Sequence, residues 1–187
     1  MSFLFRAGAL AAAALCTACA TYMAPTYSND YEAVDRLKAA SLGKVAVSPF
    51  EPLNPESPVN KPTLRGAKLA SPEGTFVKYI ESALARDLRE AGLLSAEAPT
   101  KIAGNVLANE VNVLGSSEGT GKLDVEITVS RAGQTRLRKT YRAATRFDSA
   151  FMGTIAIQQG QAAYPALVRA LLKQIYSDTE FLNAIRN

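Results

Sequence analysis

The chain contains no histidine and no tryptophan, and its only cysteines are Cys16 and Cys19. Without imidazole, serine–histidine and cysteine–histidine catalysis are excluded. So are zinc or copper sites built on imidazole and thiolate, and histidine-based pH sensing. Carboxylate-only chemistry and a Ser–Lys pair survive. Long apolar runs are missing too: Ala7 to Leu15, about nine residues, falls well short of the roughly 20 needed to span a bilayer. Neither sign of charge dominates, with 21 Lys+Arg against 17 Asp+Glu, and the formal net charge of +4 decides little about partners.

What the first residues do contain is an export signal. Arg6 is the only charge before Cys19, the Ala/Leu run follows it, and the run closes on Leu15-Cys16-Thr17-Ala18-Cys19. Cys16 follows the bulky Leu15, whereas Cys19 follows the small pair Thr17-Ala18, which makes Cys19 the better lipid acceptor. This stretch resembles the bacterial lipobox, in which a peptidase cuts before a cysteine that carries diacylglycerol. It departs from that pattern in having Cys16 three residues before the acceptor, with Leu15 one place early. The alternative is ordinary cleavage after Ala18-Cys19-Ala20, giving a soluble periplasmic protein. Acylation at Cys19 adds about 0.8 kcal/mol per buried CH₂, so several chains make a permanent anchor. Ala20, rather than Asp, follows the cysteine. By resemblance to the enterobacterial sorting rule, this implies the outer membrane.

Residues 1–18 are therefore expected to be a lipoprotein signal peptide, and residues 19–40 the lipidated cysteine and a tether. Removing the signal leaves 187 − 18 = 169 residues with charge 20 − 17 = +3, enough for one domain, 41–187, to hold a core without disulfides. Ala20 to Asp30 is polar with one proline and would reach about 35–40 Å when extended. Tyr31 to Ala40 is a candidate short helix, and Gly43 to Phe50 reads as a first strand closed by Pro49. Residues 51–72 contain Pro52, Pro55, Pro58, Pro62 and Pro72 and read as a long irregular loop, either a mobile surface loop or a partner-docking segment. Ser71-Pro72 reads as a helix start. Phe76, Ile80, Leu84, Leu88 and Ala91 then form an apolar stripe that stops at Gly92.

Three strands follow, over roughly 101–114, 121–131 and 135–147. In the middle one Leu123, Val125, Ile127 and Val129 alternate with polar residues, so one face is buried and one wet. Gly115 to Gly121 makes the hairpin loop before it and Ala132-Gly133 the tight turn after it. The last strand sets Leu137, Tyr141 and Phe147 on one face and Arg136, Arg138, Arg142 and Arg146 on the other. This arginine face is either paired across the sheet with Asp124 and Glu126 or a contact surface for anionic lipid headgroups. Nucleic acid is not expected for an exported chain whose helices lack a basic stripe. Ile155 to Tyr176 is helical, with Pro165 either kinking it or opening a fresh helix, and Ser177-Asp178 caps a last short helix.

The expected fold is α+β, a mostly antiparallel four-stranded sheet covered on one side by two helices in the order β-α-β-β-β-α. Leader, lipobox-like Cys19, a Val45-Ala46-Val47-Ser48-Pro49-Phe50 strand and a helix ending Ala91-Gly92-Leu93-Leu94 resemble small Gram-negative envelope lipoproteins. The nearest are YajG-like lipoproteins and the auxiliary lipoproteins of envelope ABC transporters, with LptE more distant. That resemblance implies a non-enzymatic accessory subunit of an envelope transport or assembly system, without cofactor or metal, partnered by an envelope complex. Curli-secretion and penicillin-binding-protein-activator lipoproteins share the opening strand and supply the alternative. Glu73 with Glu81, or Asp87 with Glu90, are the carboxylate pairs available for hydrolysis, and all four read as ordinary acids on a helix surface. Ser71 near Lys68 is explained more cheaply as a helix cap.

Overall fold

In the computed structural model, which describes residues 21–186, the chain runs β1 (Thr21–Met23), α1 (Tyr31–Ala39), β2 (Val45–Val47), a 3₁₀ turn (Pro58–Asn60), β3 (Thr63–Leu64) and β4 (Ala67–Ala70). It continues through α2 (Phe76–Glu90), β5 (Thr100–Asn112), β6 (Glu118–Arg131), β7 (Gln134–Asp148), α3 (Gly153–Ser177) and α4 (Thr179–Ile185). The main sheet has the order β2-β5-β6-β7. The β5–β6 and β6–β7 pairs are antiparallel, as the period-two alternation requires. Ala132 and Gly133 both take positive φ, +49° and +80°, the backbone of a type I′ turn whose twist matches the strands it joins.

The expected sheet is corrected in one pairing: β2 lies parallel to β5, Val45 opposite Thr100, so the sheet is mixed. The reason is the crossover. Strand β2 returns through α2, and a long helical connection delivers the next strand in the same direction, whereas two-residue turns reverse it. A second sheet, β1-β4-β3, was not expected at all. It is built from the tether and the proline-rich segment, with β1 parallel to β4 and β3 antiparallel to it.

Residues 21–30 are therefore part of the folded body rather than a free stalk. Ala24 and Tyr27 are buried, the Tyr79 hydroxyl donates to the Pro25 carbonyl at 2.8 Å, and Arg86 donates to the Tyr27 carbonyl at 2.7 Å. The 51–72 segment is likewise ordered. Prolines block its use as a central strand but permit a 3₁₀ turn and a short hairpin, and buried Asn60 ties it down by accepting from the Val77 N–H at 3.0 Å.

The fold has four helices rather than the two of the expected covering layer, the additional two being the short helices read at 31–40 and after Ser177-Asp178. The N-cap of α2 is Thr75, whose hydroxyl accepts from the Lys78 N–H, and not Ser71, whose hydroxyl instead accepts from Glu73 N–H two residues on. Gly92, at φ +72°, supplies the left-handed stop. Pro165 sits buried inside a single uninterrupted α3. Asp178 caps α4, as expected, accepting from the Glu180 N–H at 3.0 Å.

The helices close over the inner face of the main sheet. Leu123, Val125, Ile127 and Val129 of β6 are fully enclosed beneath Leu167, Val168, Leu171 and Ile175 of α3. Each such side chain stabilises the fold by about 1.5–3 kcal/mol. The α3 backbone comes close to the sheet because Gly160 carries no side chain, since a Cβ there would lie 2.6 Å from Val113 Cγ1. Phe76, Tyr79 and Tyr164 stack at centroid distances of 4.6–6.4 Å and lock α2 to α3.

Candidate functional surface

Alternation along β7 places Arg138, Arg142 and Arg146 on the outer, uncovered face of the main sheet and Leu137, Tyr141 and Ala143 on the inner one. Four residues of strand separate successive arginines, about 13 Å, so no two of them converge on one small anion. Acids interleave with them. Arg142 stands directly opposite Asp124 in register, with Nε 3.9 Å from Oδ2, and Lys122 approaches the same oxygen at 3.7 Å. Arg146 pairs with Glu118 at 3.3 Å. Arg138 faces Thr128 and makes no ion pair among the described residues. Arg136 falls at the register shift near the β6–β7 turn and donates to the Arg186 carbonyl at 3.3 Å, so it stands apart from the other three. The fifth predicted site residue, Cys19, lies outside the described residues.

Lys139, on the inner side of the same strand, builds a tighter cluster. It lies 2.8 Å from Asp178 Oδ2 and 3.2 Å from Glu180, while the Tyr141 hydroxyl donates to Asp178 at 2.6 Å. Burial pushes the Asp178 carboxyl up, but the hydrogen bonds from Lys139 and Tyr141 outweigh it and leave the group below its ordinary value. This cluster fastens α4 to β7.

The residue that sequence reasoning placed wrongly is Asp87. Rather than lying on the surface of α2, it is fully buried and accepts three hydrogen bonds: from Tyr27 at 2.8 Å, Asn29 at 2.8 Å and Tyr176 at 3.1 Å. Burial raises its pKa above the ordinary carboxylate value against the pull of those three donors. The signal was present in the spacing. Asp87 stands seven residues after Ile80 and three after Leu84, in phase with the apolar stripe. The three donors come from the N-terminal segment and α3, so the carboxylate joins β1's continuation, α2 and α3. Tyr79, on the same helix as Asp87, has a hydroxyl pushed up to about 12, chiefly by burial. Glu81 is also committed, accepting the Phe50 N–H at 2.9 Å and pairing with Lys78. Among the described residues, no group of three or more acidic or cysteine ligands is arranged to hold a metal ion.

One end of the molecule differs in character. Arg65, in the β3–β4 turn, donates from Nε to the Val113 carbonyl at 2.9 Å and from its two terminal nitrogens to Phe151 and Ala150 carbonyls at 2.8 and 3.1 Å. The Ser149 N–H donates to the Ser117 carbonyl at 2.9 Å. These bonds hold the β5–β6 and β7–α3 loops side by side, and beside the exposed Ser116 and Ser117 they present three large apolar side chains: Leu114 is 73%, Phe151 86% and Met152 61% exposed. Among the described residues, no helix is long and apolar enough to cross a membrane.

No family model and no curated protein sequence matches the chain. Solved structures do. The chain is similar to protein XCC0632 from Xanthomonas campestris, of the family DUF330, at a TM-score of 0.59 and 12% identity over 88% of this chain and 95% of that one. It is also similar to protein CT253 from Chlamydia trachomatis, at 0.49 and 11% over 75% and 97%, and to a minor lipoprotein from Acinetobacter baumannii, at 0.45 and 16% over 74% and 93%. The first similarity shows a shared fold, and at 12% identity it shows the fold alone.

Proposed function

We propose that this protein is a lipid-anchored envelope protein without catalytic activity, an accessory subunit of a transport or assembly system at the periplasmic face of the outer membrane. The observation that carries this reading is the position of Cys19. The lipobox-like cysteine stands two residues ahead of Thr21, the first residue of a strand in the folded body. A domain joined so closely to its acyl chains stays at the membrane surface, and its partners come to it there. The solvent-facing side of the main sheet, with interleaved arginines and acids on alternate residues of its long strands β6 and β7, offers those partners a polar surface. The likeness to YajG-like lipoproteins and to auxiliary lipoproteins of ABC transporters belongs to this proposal.

Two measurements test it. Metabolic labelling with a fatty acid should mark the wild-type protein and leave Cys19→Ser unlabelled and free of the membrane fraction; unlabelled wild-type protein would refute the anchor. Crosslinking in intact cells, followed by pull-down, should recover an ABC transporter or its binding parts. Cell-wall synthases or a secretion pore would move the assignment to the activator or curli-secretion class.

A further inference from the structure

We propose that the end of the domain formed by Leu114, Phe151 and Met152 is a bilayer-contact surface, whose apolar side chains enter the interfacial layer of the membrane that holds the Cys19 lipid. This rests on the acylation of Cys19 proposed above, and three observations carry it.

The first is segregation. Eight large hydrophobic side chains are exposed among the described residues, and four of them, Leu114, Phe151, Met152 and Ile155, belong to the end of β5 and the β7–α3 junction. Single exposed apolar residues are ordinary, whereas a group at one end marks a contact surface.

The second is presentation. The Arg65 guanidinium spans carbonyls of both loops, so Leu114 and Phe151 project from a braced platform. A fixed apolar tip retains little conformational freedom to lose when it enters lipid.

The third is the direction of the chain. Strand β1 runs parallel to β4 with Thr21 opposite Lys68, two residues past the Gly66 turn. Traced backwards, β1 heads toward the β3–β4 turn, where Arg65 sits. Neighbouring strands lie about 5 Å apart and two residues of strand span about 7 Å. Cys19 is a further two residues upstream, with a reach of about 7 Å from Thr21. The start of β1 therefore faces the end that carries the apolar loops, and a lipid on Cys19, two residues upstream, is within short reach of that end. This arrangement suits an interfacial contact, in which apolar side chains enter the boundary between headgroups and acyl chains beside a covalent lipid.

The absence of tryptophan makes the test direct. Phe151→Trp gives a single reporter at the tip, and Leu107→Trp a control on an exposed position of β5 about 20 Å of strand away. Each acylated full-length protein is reconstituted into phosphatidylethanolamine and phosphatidylglycerol vesicles with brominated acyl chains, its acylation confirmed by intact mass. The Phe151→Trp emission should shift to the blue and lose intensity to bromine, with Leu107→Trp unchanged. Met152→Trp repeats the measurement should Phe151→Trp fold poorly. Acylated, vesicle-bound protein whose Phe151→Trp and Met152→Trp emission matches the control overturns the contact and leaves the anchor standing. A blue shift that grows with protein concentration and ignores bromine assigns the surface to a second copy of the chain and also overturns it. Protein lacking the acyl mass refutes the anchor, and this inference with it.

Discussion

Replacing Tyr27 with alanine tests whether residues 21–30 are a structural part of the domain. The Tyr27 ring is 5% exposed, its hydroxyl donates to Asp87 Oδ2 at 2.8 Å, and its carbonyl receives Arg86. Removing a buried aromatic ring costs about 3–5 kcal/mol. The hydrogen bond to a buried carboxylate is worth about 1.5–3 kcal/mol on its own, and Asp87 keeps Asn29 and Tyr176 when it is lost. Tyr27→Phe should therefore cost about 1–2 kcal/mol and Tyr27→Ala about 3–5 kcal/mol. In a chain of 187 residues each kcal/mol lowers Tm by about 2–4 °C.

The loss has a ceiling, because a weakened segment can detach while the rest stays folded, and the global cost then stops at the free energy of its attachment. Denaturant unfolding followed by circular dichroism, paired with limited proteolysis around residues 24–30, separates the two cases. Early cleavage in Tyr27→Ala with a modest shift in midpoint indicates local release, and a full shift without early cleavage indicates cooperative loss. An unchanged midpoint and a wild-type digestion pattern would refute the packing argument and return the segment to the status of a free tether.

Asp87 sets a pH dependence of stability. Its native pKa is raised, so between the ordinary carboxylate value and the native one the folded state holds a proton the unfolded state has lost, and stability falls as pH rises through that window. Asp87→Asn should flatten that part of the profile measured by thermal unfolding from about pH 4 upward, the ordinary carboxylate value. A profile unchanged by the substitution would show that other groups set it. Asp178 acts in the opposite sense. Its lowered native pKa gives stability that is present above the ordinary value and lost on further acidification, and Asp178→Asn should remove that acid limb. Gly104→Ala would set a methyl group 2.3–2.6 Å from the buried Phe50 ring and should destabilise by about 1–3 kcal/mol; an unchanged melting temperature would show that the ring can move aside. Arg138→Glu with Arg142→Glu breaks the Arg142–Asp124 pair and sets a second acid opposite the largely buried Asp124, a cost of about 1–2 kcal/mol that the fold should survive. Reduced binding of that variant to anionic vesicles would support a lipid-facing role for the strand, and unchanged binding would assign its arginines to cross-strand pairing.

Much of the main sheet follows from the sequence alone. The meander of β5, β6 and β7 is written in apolar–polar alternation, cleanest in β6, and in an Ala132-Gly133 turn, both local properties of the chain. The stripe of α2, its stop at Gly92 and the cap of α4 at Asp178 are local as well. Exclusion of histidine-based chemistry is purely compositional. The expectation of a leader over residues 1–18 ending at Cys19 is likewise read from the order of residues alone, and it lies outside the described residues.

Three matters were decided only by tertiary structure. The parallel pairing of β2 with β5 depends on a crossover through α2. The β1-β4-β3 sheet joins segments more than 40 residues apart, each too short and too interrupted by proline to announce itself as a strand. Asp87 looked like a solvated acid because its donors, Tyr27, Asn29 and Tyr176, lie 58 to 89 residues away in sequence. The tether reading failed for the same reason: a polar segment is free only when nothing distant satisfies its backbone and covers its tyrosine. Local pattern specifies periodicity, faces and turns. Which distant partner removes a given group from water is settled by packing, and that is what turned a tether into a strand and a surface acid into a buried one.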